Sequence, residues 1–305
     1  MPLSHPTLFQ ALSALLPESD RPLLARLWEH VDRRPLTLRR SRPHETLAVS
    51  VTGAGCELRC AHCNGHYLEA MRPITALDAK DFAKFRSFLV SGGSDGTGRV
   101  PLSGHIDTLL RMPPEIGLNL HVGVQGAEAL LPLSGRPVTI SYDLAGDTAT
   151  LREVYGLDRA VSDIESYYIE LSRHFRVIPH VTLGLRGGRL SGESHVIEFL
   201  AGHVPDALTF LVFRPTPGTP YEGKSAPDIP ETVGIIAQAS ERLPCPLHLG
   251  CMRPTGIYRR RLDILAWAAG ARVIVMPEHE FVRILAEHGI PIEEQSECCS
   301  LGHPR

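Results

Sequence analysis

The chain has 305 residues, 43% of them apolar and 21% charged, enough to fill the core of one large domain or two small ones. Its formal net charge is -3, and the basic runs Arg33-Arg34, Arg39-Arg40 and Arg259-Arg260-Arg261 are short and dispersed, so they read as solvated faces and no nucleic-acid footprint is expected. No apolar stretch reaches the ~20 residues of a bilayer span and no signal-peptide pattern opens the chain, which predicts a cytoplasmic protein with no membrane partner.

Leu8, Leu12, Leu15 and Leu16, then Leu23, Leu24, Leu27 and Trp28, recur at helical spacing. The first forty residues therefore read as helix, and residues 1–45 as a helical extension. From Thr46 short β-branched or apolar runs alternate with stretches of helical periodicity. The candidate strands are Leu47–Val51, Phe88–Val90, Leu118–Val122, Val138–Ser141, Val177–Val181, Ala207–Val212, Leu247–Leu249 and Arg272–Val275. They predict an α/β fold, a (β/α) TIM-type barrel, partial or full, over residues 46–290, with a tail at 291–305. In such a barrel chemistry gathers on the loops at the C-terminal strand ends.

Seven cysteines, an odd number in a chain too long to need disulfide staples, point to reduced thiolates serving a metal or cluster. Cys56, Cys60 and Cys63 crowd a glycine-led loop directly after the first barrel strand. Thiolates are soft donors suited to iron-sulfur clusters, and three ligands on one tight loop leave one iron of a cubane open. An open position separates catalytic metal sites from closed structural ones. Zinc is the competing reading, with His62 or His66 completing a set.

The CxxxCxxC loop resembles the defining motif of radical S-adenosylmethionine enzymes. That resemblance implies a [4Fe-4S] cluster on Cys56, Cys60 and Cys63 whose open iron chelates S-adenosylmethionine, and an electron donor such as ferredoxin. It implies cofactor contacts at further positions. His62 takes the aromatic position near the adenine, and Gly92 and Gly93 form the turn whose backbone meets the amino group. Ser141 and Asp143 follow the fourth strand, where ribose ligands lie. His180 and Arg186 lie at or after the fifth strand, and Arg214 opens the stretch Phe213–Pro220 after the sixth. Each has a plainer reading beside it: a cap or turn carboxylate for Asp143, a satisfied half-buried imidazole for His180, a proline-rich turn for the stretch at Arg214.

Gly250-Cys251-Met252-Arg253-Pro254 after the seventh strand and Cys298-Cys299-Ser300 near the C-terminus supply a second thiol set. Together with the first motif and its Gly65, Tyr67, Leu68 and Met71, they resemble the biotin-synthase-like branch, and within it the two-protein lipoyl synthases. The resemblance spans about Val51 to Leu301. It implies an auxiliary [4Fe-4S] cluster on Cys251, Cys298 and Cys299, closed over the active site by the returning tail and sacrificed as a sulfur source. Ser300, Arg253 and Cys245 are the candidates for a fourth ligand. The implied partners are an octanoylated lipoyl-carrier protein or domain, docking near Arg259 to Arg261, and a second synthase subunit. Other radical chemistry on a small metabolite shares the same first motif, and a frayed tail or a non-catalytic zinc protein is the plainer alternative for the second set.

Overall fold

Period-two runs of β-branched and apolar residues form strands because each strand buries one face under helices. In the computed structural model, which describes residues 5–29, 31 and 35–302, the strands are β1 (Leu38–Ser41), β2 (Thr46–Ser50), β3 (Arg72–Pro73), β4 (Ser87–Ser91), β5 (Gly117–His121), β6 (Val138–Asp143), β7 (Arg176–Leu183), β8 (Leu208–Val212), β9 (Leu247–Leu249), β10 (Ala271–Val275) and β11 (Ile292–Gln295). Arg33, Arg34 and residues 303–305 lie outside the described residues. All pairings are parallel, in the order β11-β1-β10-β9-β8-β7-β6-β5-β4-β2-β3. Among the described residues no pairing joins β3 to β11, so the sheet curls into an open, partial barrel. The eight strands read from the sequence correspond to β2 and β4 to β10.

The helices are α1 (Pro6–Ala14), α2 (Arg21–Trp28), α3 (Ala79–Lys84), α4 (Ile106–Arg111), α5 (Thr148–Glu153), α6 (Val161–Ser172), α7 (Glu193–Ala201), α8 (Ile229–Arg242), α9 (Ile257–Ala268) and α10 (His279–Glu287). Side-chain caps start several of them: Asp78, Asp147, Asp228 and Glu278 each accept a backbone N–H of the first turn. No described helix is long and apolar enough to cross a membrane.

The helical reading of the first forty residues holds for α1 and α2 and fails at Leu38–Ser41, which is a strand between β10 and β11. Arg39 and Arg40 are therefore not a bare solvated face. They pair with Glu293 and Glu294 of β11 across the register Arg39↔Glu293 and Arg40↔Glu294. The two helices pack on α9 and α10 through Trp28, whose ring centroid lies 6.3 Å from that of Trp267. Arg261 of α9 adds two hydrogen bonds, at 2.6 and 2.8 Å, to the buried Asp20 carboxylate.

The outer sheet face is apolar, with Phe88, Val90, Leu118, Leu120, Ile140, Leu208 and Phe210 in the core under the helices. The inner face differs from the branched apolar layers that usually fill a closed barrel. Its strand positions, two apart, include Asn119 and His121 on β5, Thr139, Ser141 and Asp143 on β6, His180 on β7, Thr209 on β8 and His248 on β9, beside the apolar Ile178, Leu211 and Val273. Asn119, Thr209 and His248 are wholly buried there. Each of these inward polar groups needs a hydrogen-bond partner inside the barrel.

Candidate active site

The loop after β2 turns tightly, with positive φ at Gly53 (59°), Arg59 (43°), Asn64 (44°) and Gly65 (79°). Thr52 fastens its near side, donating from Oγ1 to Gly55 O at 2.8 Å and accepting from Gly93 N at 2.7 Å. Its far side reaches across the barrel mouth: Ala61 N donates to Val154 O at 2.8 Å, Asn64 Nδ2 to Gly218 O at 3.1 Å, and the Tyr67 and Thr216 hydroxyls lie 2.8 Å apart. The loop is thus a roof anchored on the segments after β6 and β8. A Cβ on Gly93 would lie 1.9 Å from Gly55 O and 2.6 Å from the Cys56 Cα, so glycine is needed there for the turn to pack under the roof.

Ligand atoms of Cys60, His62 and Cys63 lie within 4.8 Å of one another, while Cys56 stands outside that group on the same loop. The Cys60 thiol hydrogen-bonds the Cys63 sulfur, and His62 adds a further favourable contact, so Cys63 is pulled down to about 4 and Cys60 is pushed up. The two thiols are close enough to titrate as a pair, and losing one proton is easier than losing both. The thiolate-rich donor set fits an iron-sulfur cluster, and a single ion on Cys60, His62 and Cys63 is the zinc-type alternative.

Below the roof Asp143 faces the barrel interior. Its place in the barrel interior raises its carboxyl, and only the neighbouring His180 and His62 rings work against the rise. Asp147, not Asp143, caps α5, taking Thr150 N at 2.8 Å, which removes the cap reading for Asp143. His180 is buried, with Nδ1 3.0 Å from Ile178 O and its ring centroid 5.2 Å from that of His121. Burial holds both imidazoles down at about 4. Ser141 lands one layer lower than Asp143, donating to Asn119 Oδ1 at 2.8 Å and standing 3.5 Å from the Ser300 hydroxyl. Arg186 is spent on Glu153, at 2.5 and 3.1 Å on the rim.

The second thiol set assembles in this interior, but from the opposite direction to the one expected. After β11 the chain passes Glu45, bonded through Glu45 N to Ser296 O at 3.0 Å, and enters the barrel at the start of β2, where Cys298 N donates to Thr46 Oγ1 at 2.8 Å. It then crosses to β7, where Arg176 Nη1 donates to Ser300 O at 2.7 Å. The tail does not close over the mouth. It forms a floor, held by Thr46 at the start of β2, by Arg176 at the start of β7 and by Ser41 Oγ, which donates to Glu297 O at 3.0 Å. Beneath it a cavity of ≈ 960 Å³, lined by Arg136, Arg176, Asp206, Glu297 and Leu301 among others, opens away from the roof.

Cys298 and Cys299 pack on Val273 and Val275 of β10. Cys299 and Ser300 are buried, so the tail is not frayed here. Hydrogen bonds from Cys299, Ser300 and Asn119 bring Cys298 down to about 7, against burial. Cys251, just past β9, opens on the same interior and acts on both tail cysteines electrostatically. Of the candidates for a fourth ligand, only Ser300 stands with this set. Arg253 is fully buried in a two-pronged ion pair with Asp263, at 3.0 and 3.3 Å, and its Nη1 donates to Gly250 O at 2.6 Å. Cys245 belongs to the apolar core between sheet and helices.

No protein-family model matches the chain, and no curated protein matches its sequence. Solved structures do. The crystal structure of methylornithine synthase (PylB) aligns with a TM-score of 0.60 at 14% identity, over 96% of this chain and 94% of that one. The chain shares that protein's fold. Streptococcus suis SuiB aligns at 0.49 and 12% identity over 80% of this chain and 55% of that one, and a putative lyase/mutase from Burkholderia cenocepacia J2315 at 0.39 and 14% over 87% and 86%.

His121 and Asn119 escaped the reading of motifs. The signal was available in the alternation of β5, whose inward positions are the polar ones in Leu118–Val122. The Arg259–Arg261 run also divides once folded: Arg261 holds Asp20 and Arg260 reaches Glu278 at 3.3 Å, so neither is a free docking cation. Arg259 alone of the three turns toward the Cys251 loop, where Arg253, Asp263 and Arg214 are the charges that act on it.

Proposed function

We propose that this chain is a radical S-adenosylmethionine enzyme that inserts sulfur at an unactivated carbon. The observation that carries the reading is the placement of two thiol sets at opposite ends of one polar interior: Cys56, Cys60 and Cys63 in the roof, Cys251, Cys298 and Cys299 on the wall and floor. Bound at these places, a [4Fe-4S] cluster with S-adenosylmethionine supplies a carbon radical able to remove hydrogen from a C–H bond, and an auxiliary cluster supplies sulfur. The protein's share is alignment and exclusion of water. Asp143 is positioned to accept hydrogen bonds from the hydroxyls of a ribose, and the neutral His121 and His180 offer hydrogen bonds without charge. The floor, with Ser300 beside both tail cysteines, supports a fourth ligand from the tail.

The lipoyl synthase reading rests on Gly-Cys-Met-Arg-Pro and the terminal Cys-Cys-Ser. It makes the substrate an octanoyl chain on a lysine of a lipoyl-carrier domain, entering at the roof side, with a ferredoxin-type donor and a second synthase subunit as partners. The compact Cys60, His62 and Cys63 group supports a second reading, a single zinc ion without radical chemistry.

Anaerobic iron and sulfide analysis with Mössbauer spectra, on the wild type and on Cys56→Ala/Cys60→Ala/Cys63→Ala, tests the proposal. Two clusters in the wild type and one in the triple variant are expected; a colourless zinc protein would end it. Incubating the reduced enzyme with octanoylated carrier domain and S-adenosylmethionine should then give a thiolated octanoyl product. Cofactor cleavage with no such product would leave radical chemistry and reject the lipoyl substrate.

A further inference from the structure

Three guanidinium groups are linked to the loop that carries Cys251: Arg253 acts on Cys251, and Arg259 responds to Cys251 and to Arg214. Arg253 lies within that loop, and its charge is balanced by Asp263. Arg259 stands four residues before Asp263 on α9, hence on the same helix face, one turn nearer the barrel mouth. Arg214 arrives from the neighbouring strand: Val212 N donates to Met252 O at 2.9 Å, which sets the chain leaving β8 beside the chain leaving β9. Asp263 is already taken by Arg253 and by Glu278 N at 2.9 Å, and Glu278 faces Arg260. Among the described residues, no side-chain hydrogen bond or ion pair reaches Arg214 or Arg259, and the Arg259 Nε is buried without a partner. Positive charges brought together without a counterion, one of them carrying an orphaned buried donor, mark a place for an anion.

We propose that Arg214 and Arg259 are the countercharges of a thiolate-bound cluster on Cys251, Cys298 and Cys299, and that they set its reduction potential. The inference rests on the two-cluster reading above. A cluster held by thiolates carries net negative charge, and reduction adds one more, so nearby fixed cations favour the reduced form. Burial and the like charges of Arg253 and Arg214 disfavour the charged form of Arg259, while Asp263, itself engaged by Arg253, and a Cys251 thiolate favour it. Neither arginine is a ligand. Both act through the field at the sulfurs.

The test uses the full chain with Cys56, Cys60 and Cys63 replaced by alanine, reconstituted anaerobically so that only the second cluster remains, and titrated against potential by EPR. Replacing both Arg214 and Arg259 by Gln should lower the ratio of reduced to oxidised cluster at a fixed potential at least tenfold, about 59 mV for one electron, whereas Lys at both positions should retain most of it. An unchanged midpoint at unchanged iron content would overturn the inference and leave the two-cluster reading standing. Loss of the cluster from the Gln and the Lys variants alike would also overturn it, since shape rather than charge would then be the requirement. Absence of any cluster in the parent with both arginines present would instead reject the two-cluster reading, and this inference with it.

Discussion

The side-chain amide of Asn119 donates to the sulfur of Cys298 at 3.5 Å, joining the middle of β5 to a tail that lies 179 residues further along the chain. Its carbonyl accepts from Ser141, which stands beside Ser300, so one buried amide orders both a thiol and the hydroxyl next to it. Asn119→Ala leaves Ser141 only its longer contact with Ser300 and removes the donor to sulfur, at a cost of about 1–3 kcal/mol. The expected result is a lower urea midpoint and reduced iron content at the second site in the variant that lacks the first three cysteines. Unchanged iron content would show that the amide does not organise the floor.

Gly93→Ala should separate fold from site. Its Cβ would meet backbone atoms, Gly55 O at 1.9 Å and the Cys56 Cα at 2.6 Å, so the roof has to shift rather than a flexible side chain. We expect circular dichroism close to the wild type, with a severalfold loss of iron at the proposed site of Cys56, Cys60 and Cys63. Gly104→Ala, where a Cβ meets nothing within 4 Å, is the control.

The Arg253–Asp263 pair predicts a stability effect rather than a ligand effect. Both side chains are fully buried, and removal of one partner strands the other charge, so Arg253→Ala should cost roughly 3–5 kcal/mol. Replacing the pair together, Arg253→Met with Asp263→Leu, should recover most of this loss in chemical denaturation. If the double variant folds stably and binds as much iron as its parent at the proposed second site, Arg253 is excluded as a ligand by experiment.

The two interior histidines give a pH dependence. Burial lowers His180, and His121, to about 4, from the ordinary 6.5, so the folded protein binds fewer protons than the unfolded chain between those values. Stability is therefore complete above about pH 6.5 and falls as pH drops toward 4. Each imidazole contributes at most about 3 kcal/mol, and their facing rings with Asp143 nearby make the two titrations interdependent. Thermal melts between pH 7 and pH 4 should show a decline that is shallower in His180→Gln; equal slopes would assign the acid sensitivity elsewhere.

Much of this architecture is written locally. The runs that became β2 and β4 to β10 carry their own β-branched and apolar signature, and the roof follows from glycines and cysteines within fifteen consecutive residues, Val51 to Gly65. β1 and β11 were illegible because Leu-Arg-Arg-Ser and Ile-Glu-Glu-Gln are charged strands stabilised by each other's ions, a pairing of segments about 250 residues apart that no local window contains.

The sequence by itself offered the donor atoms: three thiols within the eight positions Cys56 to Cys63, and three more at Cys251, Cys298 and Cys299. Only the tertiary structure decided where they stand, that the tail enters as a floor, that Arg253 and Cys245 are occupied elsewhere, and that Arg259 parts from Arg260 and Arg261. The reason is physical. Ligand identity is a property of a side chain, whereas direction and neutralisation depend on which distant backbone amides and carboxylates remain free once the sheet has curled.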